Sequence, residues 1–140
     1  MATFVMSSII AAPVEVVFGF HEREDALALL SPPFPPMRVL RKTGGLQVGA
    51  EVELQIGPIR WLARHTGFEK NRFFEDVQVS GPFEKWVHRH EFESVPGGTR
   101  LTDRVEYRFV GGALTEWAVR IGLWQMFRYR HRMTKRFCSE

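Results

Sequence analysis

From residue 37 to residue 110 this chain alternates apolar and polar residues with period two, and Gly, Pro or Asn interrupts the pattern at about ten-residue intervals. "MRVLRK" (37–42) leads to Gly44-Gly45, and "GAEVELQIG" (49–57) to Gly57-Pro58. "IRWLARHTGFEK" (59–70) stops at Asn71, and "RFFEDVQVS" (72–80) at Gly81-Pro82. "FEKWVHRHEFESV" (83–95) ends at Pro96-Gly97-Gly98, and "TRLTDRVEYRFV" (99–110) at Gly111-Gly112. Turns this short join only antiparallel neighbours, because a parallel connection needs a crossover of about a dozen residues or more.

After Gly112 the period lengthens to about 3.6. Leu114, Trp117, Ala118, Ile121 and Trp124 share one stripe, with Glu116 and Arg120 off it. The spacing predicts a helix from 113 to about 136, roughly 35 Å long, whose apolar stripe covers the sheet. Ahead of the strands, "TFVMSSII" (3–10) reads as a further strand. Pro13 then opens a short helix with Val14, Val17, Phe18 and His21 on one face. A second short helix at 23–30 is ended by Pro32-Pro33. The expected fold is α+β: a curved antiparallel sheet of about seven strands wrapped around a long C-terminal helix, with two short helices after the first strand. No linker or repeat interrupts the pattern, so residues 1–140 read as one domain.

With 140 residues the chain can bury about two-thirds of its unfolded surface. Its single cysteine, Cys138, cannot form an intrachain disulfide. No apolar run approaches the ~20 residues that span a bilayer, and the N-terminus lacks a signal-peptide pattern. These features point to a cytoplasmic protein without integral membrane association. The formal charge is +3, with five Arg/Lys gathered in "RYRHRMTKR" (128–136). That run reads as the solvated end of a helix, where positive charge is favourable. No basic stripe interleaved with exposed aromatics is present, so nucleic acid is not an expected partner.

Parity assigns the faces, because strand side chains alternate. Leu101, Val105, Tyr107 and Phe109 share a side and must face the helix; Asp103 shares it too. On the preceding strand Trp86, His88, His90 and Phe92 face inward. Trp61, Ala63 and His65 oppose an Arg-bearing side. In residues 72–79 both faces carry apolar groups, leaving Asp76 and Gln78 as conditional members of the inner set. Buried ionisable groups are costly unless paired. These must therefore pair with one another or line a hollow.

The element order, together with "SSIIAAPVEVVFGFHE", "GPIRWLARHTGF", "FFEDVQVSGPFEKWVHRHEF" and "TRLTDRVEYRF", resembles the helix-grip fold of the START/Bet v 1-like (SRPBCC) superfamily. The likeness is to its bacterial polyketide cyclase/dehydrase-type ligand-binding branch and covers nearly the whole chain. It implies a deep, mostly apolar cavity between sheet and C-terminal helix. It names no catalytic residue, since fold does not fix function.

The expected function is binding of an apolar or aromatic small molecule (lipid-, quinone- or polyketide-like) in that cavity. The expected lining is Trp61, His65, Asp76, Trp86, His88, His90, Asp103 and Tyr107, and the entrance is formed by "SPPFPP" (31–36), the Gly-Pro turns and the start of the long helix. One alternative is a cyclase or dehydratase using a His–Asp pair drawn from His88, His90, Asp103 and Asp76. Counting back from the Gly97-Gly98 turn places positions 88 or 90 near 105–107, so Asp103 is offset from direct contact. Another alternative is a membrane-peripheral or partner-binding module using the basic helix end. His-x-His on a strand is also a metal-binding pattern. Glu91 and Glu93 have the wrong parity to complete it, so neither metal nor cofactor is expected.

Overall fold

The computed structural model describes residues 1–139. β1 (Ala2–Ile10) leads into α1 (Val14–His21) and α2 (Ala26–Leu30). Six strands follow: β2 (Met37–Thr43), β3 (Glu51–Ile56), β4 (Ile59–Glu69), β5 (Phe73–Ser80), β6 (Lys85–Val95) and β7 (Gly98–Arg108). α3 (Gly112–Cys138) closes the chain. The strands form one curved, unclosed antiparallel sheet in the order β1-β7-β6-β5-β4-β3-β2. Hairpins place β2 to β7 in sequence order, and β1 adds to the far side of β7.

Local chemistry explains the boundaries. Pro13 caps α1, and its carbonyl accepts the Val17 N–H at 3.1 Å. Gly98 opens β7 at φ +144°, where a side chain is strained, and a β-carbon there would collide with the Ile10 carbonyl oxygen of β1. The β6–β7 turn is thus tighter than the sequence count assumed. Val95 pairs with Gly98, so His90 lies opposite Asp103 and His88 opposite Val105. The expected offset of Asp103 does not exist.

On the concave side two apolar clusters sit end to end. One gathers Ile10, Val17, Phe18, Phe92 and Leu101. The other gathers Phe4, Trp86, Val105, Tyr107 and Phe127. Between them β6, β7 and α3 each contribute polar residues: His88 and His90, Asp103, and His131, all buried.

The orientation of α3 corrects the sequence reading. Leu114 (79% exposed), Trp117 (62%), Ile121 and Trp124 face outward. The inward face is Leu123, Phe127, His131, Thr134 and Cys138. The basic run is therefore not uniformly solvated: Arg128 and Arg132 are exposed, whereas His131 is buried among the sheet residues. α3 lies along β1, with α1 and α2 beside it. Among the described residues no helix is long and apolar enough to cross a membrane.

Candidate functional site

Beyond the polar layer, between α2, α3 and the inner faces of β3 to β6, lies a cavity of about 260 Å³. Alternation brings Leu54 from β3, Trp61, Ala63 and His65 from β4, Phe74 and Asp76 from β5, and Trp86, His88 and His90 from β6 to its wall. Leu27 and Leu30 of α2 and Leu123, Met126 and Arg130 of α3 complete it. Trp61 and Trp86 meet edge to face, centroids 5.0 Å apart. The Pro-rich stretch 31–36 supplies no wall residue; the Arg23, Lys42, Gly45 and Leu46 region does.

Six of the eight sequence-predicted lining residues thus meet at one cavity: Trp61, His65, Asp76, Trp86, His88 and His90. Two do not. Tyr107 is fully buried in the second apolar cluster, against the Phe83 ring. Asp103 lies behind the wall, screened by the histidines it holds. Gln78 is also engaged elsewhere, since its amide holds both the N–H and the carbonyl of Phe83 and so clamps the β5–β6 turn.

Asp103 is the hub of the polar layer. Its Oδ1 accepts from His88 Nε2 at 2.7 Å and lies 3.1 Å from His90 Nδ1. Its Oδ2 accepts from His131 Nε2 at 2.6 Å, and Nδ1 of that ring meets Ser8 Oγ at 2.6 Å. Burial alone would raise the Asp103 pKa, but the three imidazole hydrogen bonds outweigh it and hold the group well below the ordinary carboxylate range. His90 shows the same contest. Burial pushes its pKa down, and the bonds to Asp103 and Asp76 overcome this and raise it. His88 has one carboxylate partner, and the His90 ring lies tilted beside it with centroids 3.7 Å apart; burial and His90 together lower its pKa.

His90 Nε2 lies 3.3 Å from Asp76 Oδ2. A bare imidazole nitrogen and a carboxylate are both acceptors, so this contact requires one proton between them. Both groups line the cavity. The pair can therefore give a proton to, or take one from, an oxygen of a bound molecule. Asp76, His88 and His90 also each place a donor atom within 4.8 Å of the others, a spacing that could hold a divalent ion. The carboxylate that Glu91 and Glu93 could not supply comes from β5 instead.

Three residues were not singled out from sequence. His21 is buried on the cavity wall, its Nδ1–H donating to the Val17 carbonyl at 2.8 Å, and burial lowers its pKa to about 4. His131 and Arg130 were hidden in a basic run. Their signal was phase: positions 123, 127, 130, 131, 134 and 138 recur at three- and four-residue steps on one helix face.

The model of a family described as polyketide cyclase / dehydrase and lipid transport matches residues 10–132. The chain belongs to this family. Several solved structures are similar in shape. A nucleoside-diphosphate sugar epimerase from Corynebacterium glutamicum superposes with TM-score 0.77 at 30% identity, over 95% of this chain. This chain spans only 28% of that epimerase's length. A protein from Chromobacterium violaceum matches at TM-score 0.77 and 13% identity, over 100% of this chain and 99% of that one. One from Mycobacterium smegmatis matches at TM-score 0.73 and 18% identity, over 98% and 90%. These last two likenesses concern the fold alone. Among curated proteins none matches this chain.

Proposed function

We propose that this protein binds an apolar or aromatic small molecule in the cavity between β3–β6 and α2/α3. The observation that carries the reading is the wall itself: a largely apolar enclosure, with Trp61 and Trp86 at one end and His65, Asp76, His88 and His90 at the other. Apolar walls with a few placed polar groups are the common build of small-molecule sites, which start at about 300 Å³. A cavity of about 260 Å³ therefore suits a compact guest of two or three fused rings. Membership of a family described for polyketide cyclases, dehydrases and lipid transport supports the same reading.

Native mass spectrometry of protein purified from its own source tests it. We expect a bound small molecule, and its loss in Ala63→Phe, which fills the cavity from β4. Bare protein in both cases, with no uptake of neutral naphthalene derivatives by the unsubstituted chain, would overturn the proposal. Recovery of a chemically altered guest after incubation would favour the cyclase or dehydratase alternative, in which the proton shared by His90 and Asp76 is the reagent.

The outward face of α3 favours a second reading for the same protein, contact with an anionic membrane surface. Leu114, Trp117, Ile121 and Trp124 form its exposed first half, and Arg128, Arg132, Lys135 and Arg136 continue the exposed face. Tryptophan beside arginine is suited to the membrane interface. Flotation with vesicles containing about one-third phosphatidylserine should carry the protein at low salt. The double variant Trp117→Ser/Trp124→Ser should stay in the soluble fraction. Equal flotation with purely zwitterionic vesicles would count against it.

A further inference from the structure

Arg130 lies on the cavity wall. Its Nε is buried and has no hydrogen-bond partner among the described residues. Its guanidinium carbon stands 5.7 Å from the Phe127 ring centroid. Asp103 and Asp76 act on it only through space. Asp103 is engaged by three imidazoles, and one oxygen of Asp76 by His90. The other titratable groups on the wall are the imidazoles of His21 from α1, His65 from β4, and His88 and His90 from β6, together with Lys42 from β2 and Arg23, which is paired with Asp25. His65 Nδ1 is a second buried wall atom with no partner among the described residues.

An arginine stays charged in a protein, and its long stem usually carries the head out to water. Arg128 and Arg132, two residues to either side, do so. Arg130 is only half-exposed, because its phase on α3 is that of Leu123, Phe127 and Thr134, and its Nε is turned away from water. A guanidinium on the cavity wall that makes no direct bond to either nearby carboxylate is a half-site. The planar guanidinium fits a carboxylate through two parallel N–H···O bonds.

We infer that the guest of this cavity is an acid: an apolar or aromatic body carrying a carboxylate that Arg130 receives. The inference rests on the cavity being a binding site and adds the chemical class of what it holds. The apolar body lies against Leu54, Trp61 and Trp86, and the carboxylate faces α3.

Calorimetric titration with two probes of one ring system, 2-naphthoate and 2-naphthalenemethanol, tests it. The unsubstituted protein should bind the acid at least tenfold more tightly than the alcohol. Arg130→Met should weaken the acid at least tenfold and leave the alcohol within about threefold. Arg130→Lys should retain part of the preference. Arg130→Met should also raise Tm, because it replaces a buried charge lacking a direct partner by an apolar chain of similar length. The loss of acid binding is then not a loss of fold. Equal or tighter binding of the alcohol by the unsubstituted protein overturns the inference and leaves the cavity reading standing. Unchanged acid affinity in Arg130→Met overturns it likewise, as does a fall in Tm, which would show Arg130 to be paired within the fold. If neither probe binds the unsubstituted protein, the cavity reading falls and this inference with it.

Discussion

Asp103→Ala is expected to cost the fold about 3–5 kcal/mol, the range for removing one partner from a buried charged network. Asp103 is 4% exposed, and its two oxygens hold His88, His90 and His131, which are themselves buried. Truncation leaves three imidazole N–H groups from β6 and α3 facing an empty space too enclosed for free hydration. It also severs the side-chain link that ties the middle of β7 to both β6 and α3. Urea denaturation followed by far-UV circular dichroism measures the effect. His131→Ala removes a single arm of the hub and should cost less than Asp103→Ala. Equal costs, or a loss below about 1 kcal/mol for Asp103→Ala, would show that the histidines find other partners and that the hub does not hold the layer together.

Acid is expected to destabilise the protein before any carboxylate of ordinary pKa titrates. Burial lowers the His21 pKa from 6.5 to about 4, so between these values the unfolded chain takes up a proton that the folded one refuses. Stability therefore falls as pH drops through this window, by up to about 3 kcal/mol for His21 alone at 1.36 kcal/mol per pH unit. His65 and His88, lowered chiefly by burial, add to the loss in the same direction. Asp103 and Asp76 have lowered pKa values, and their contribution is lost at more acid pH still. His90 has the opposite sign: its pKa is raised, so its contribution is complete below 6.5 and disappears as pH climbs through the raised value. Stability should therefore peak near neutrality and fall more steeply on the acid side. Denaturation midpoints from pH 4 to pH 8 check this. His21→Phe should flatten the acid limb by about one proton's worth of slope, and an unchanged limb would remove His21 from the account.

The strand succession was legible because each element announced itself locally. Alternation and Gly/Pro punctuation placed β2 to β7, the β-rich composition of residues 3–10 placed β1, and the change of period placed α3. The inward parity of His65, His88 and His90 followed from the same alternation. The orientation of α3 was not legible. Leu114, Trp117, Ile121 and Trp124 form the better apolar stripe, yet the sheet takes the face carrying Leu123, Phe127 and His131. An apolar stripe is expected to meet the core only if the core is itself apolar, and here the middle of the core is a carboxylate with imidazoles around it. Arg130 and His131 were obscured for a related reason: in a run of cations, composition says solvent whatever the helical phase says. Tyr107 was placed on the correct face but at the wrong end, since parity gives the side of a sheet and not the distance along it.

One irregularity in β4 reaches further than its size suggests. His65 pairs with Asp76 but Gly67 pairs with Glu75, so Thr66 is an extra residue in the strand. Strict alternation from His65 would turn Phe68 to solvent; the extra residue turns it inward against Phe18. The two halves of β4 thus serve different tenants, the cavity before Thr66 and the aromatic packing under α1 after it. Shortening the strand by that single residue would put the halves back in step and make the protein choose between them.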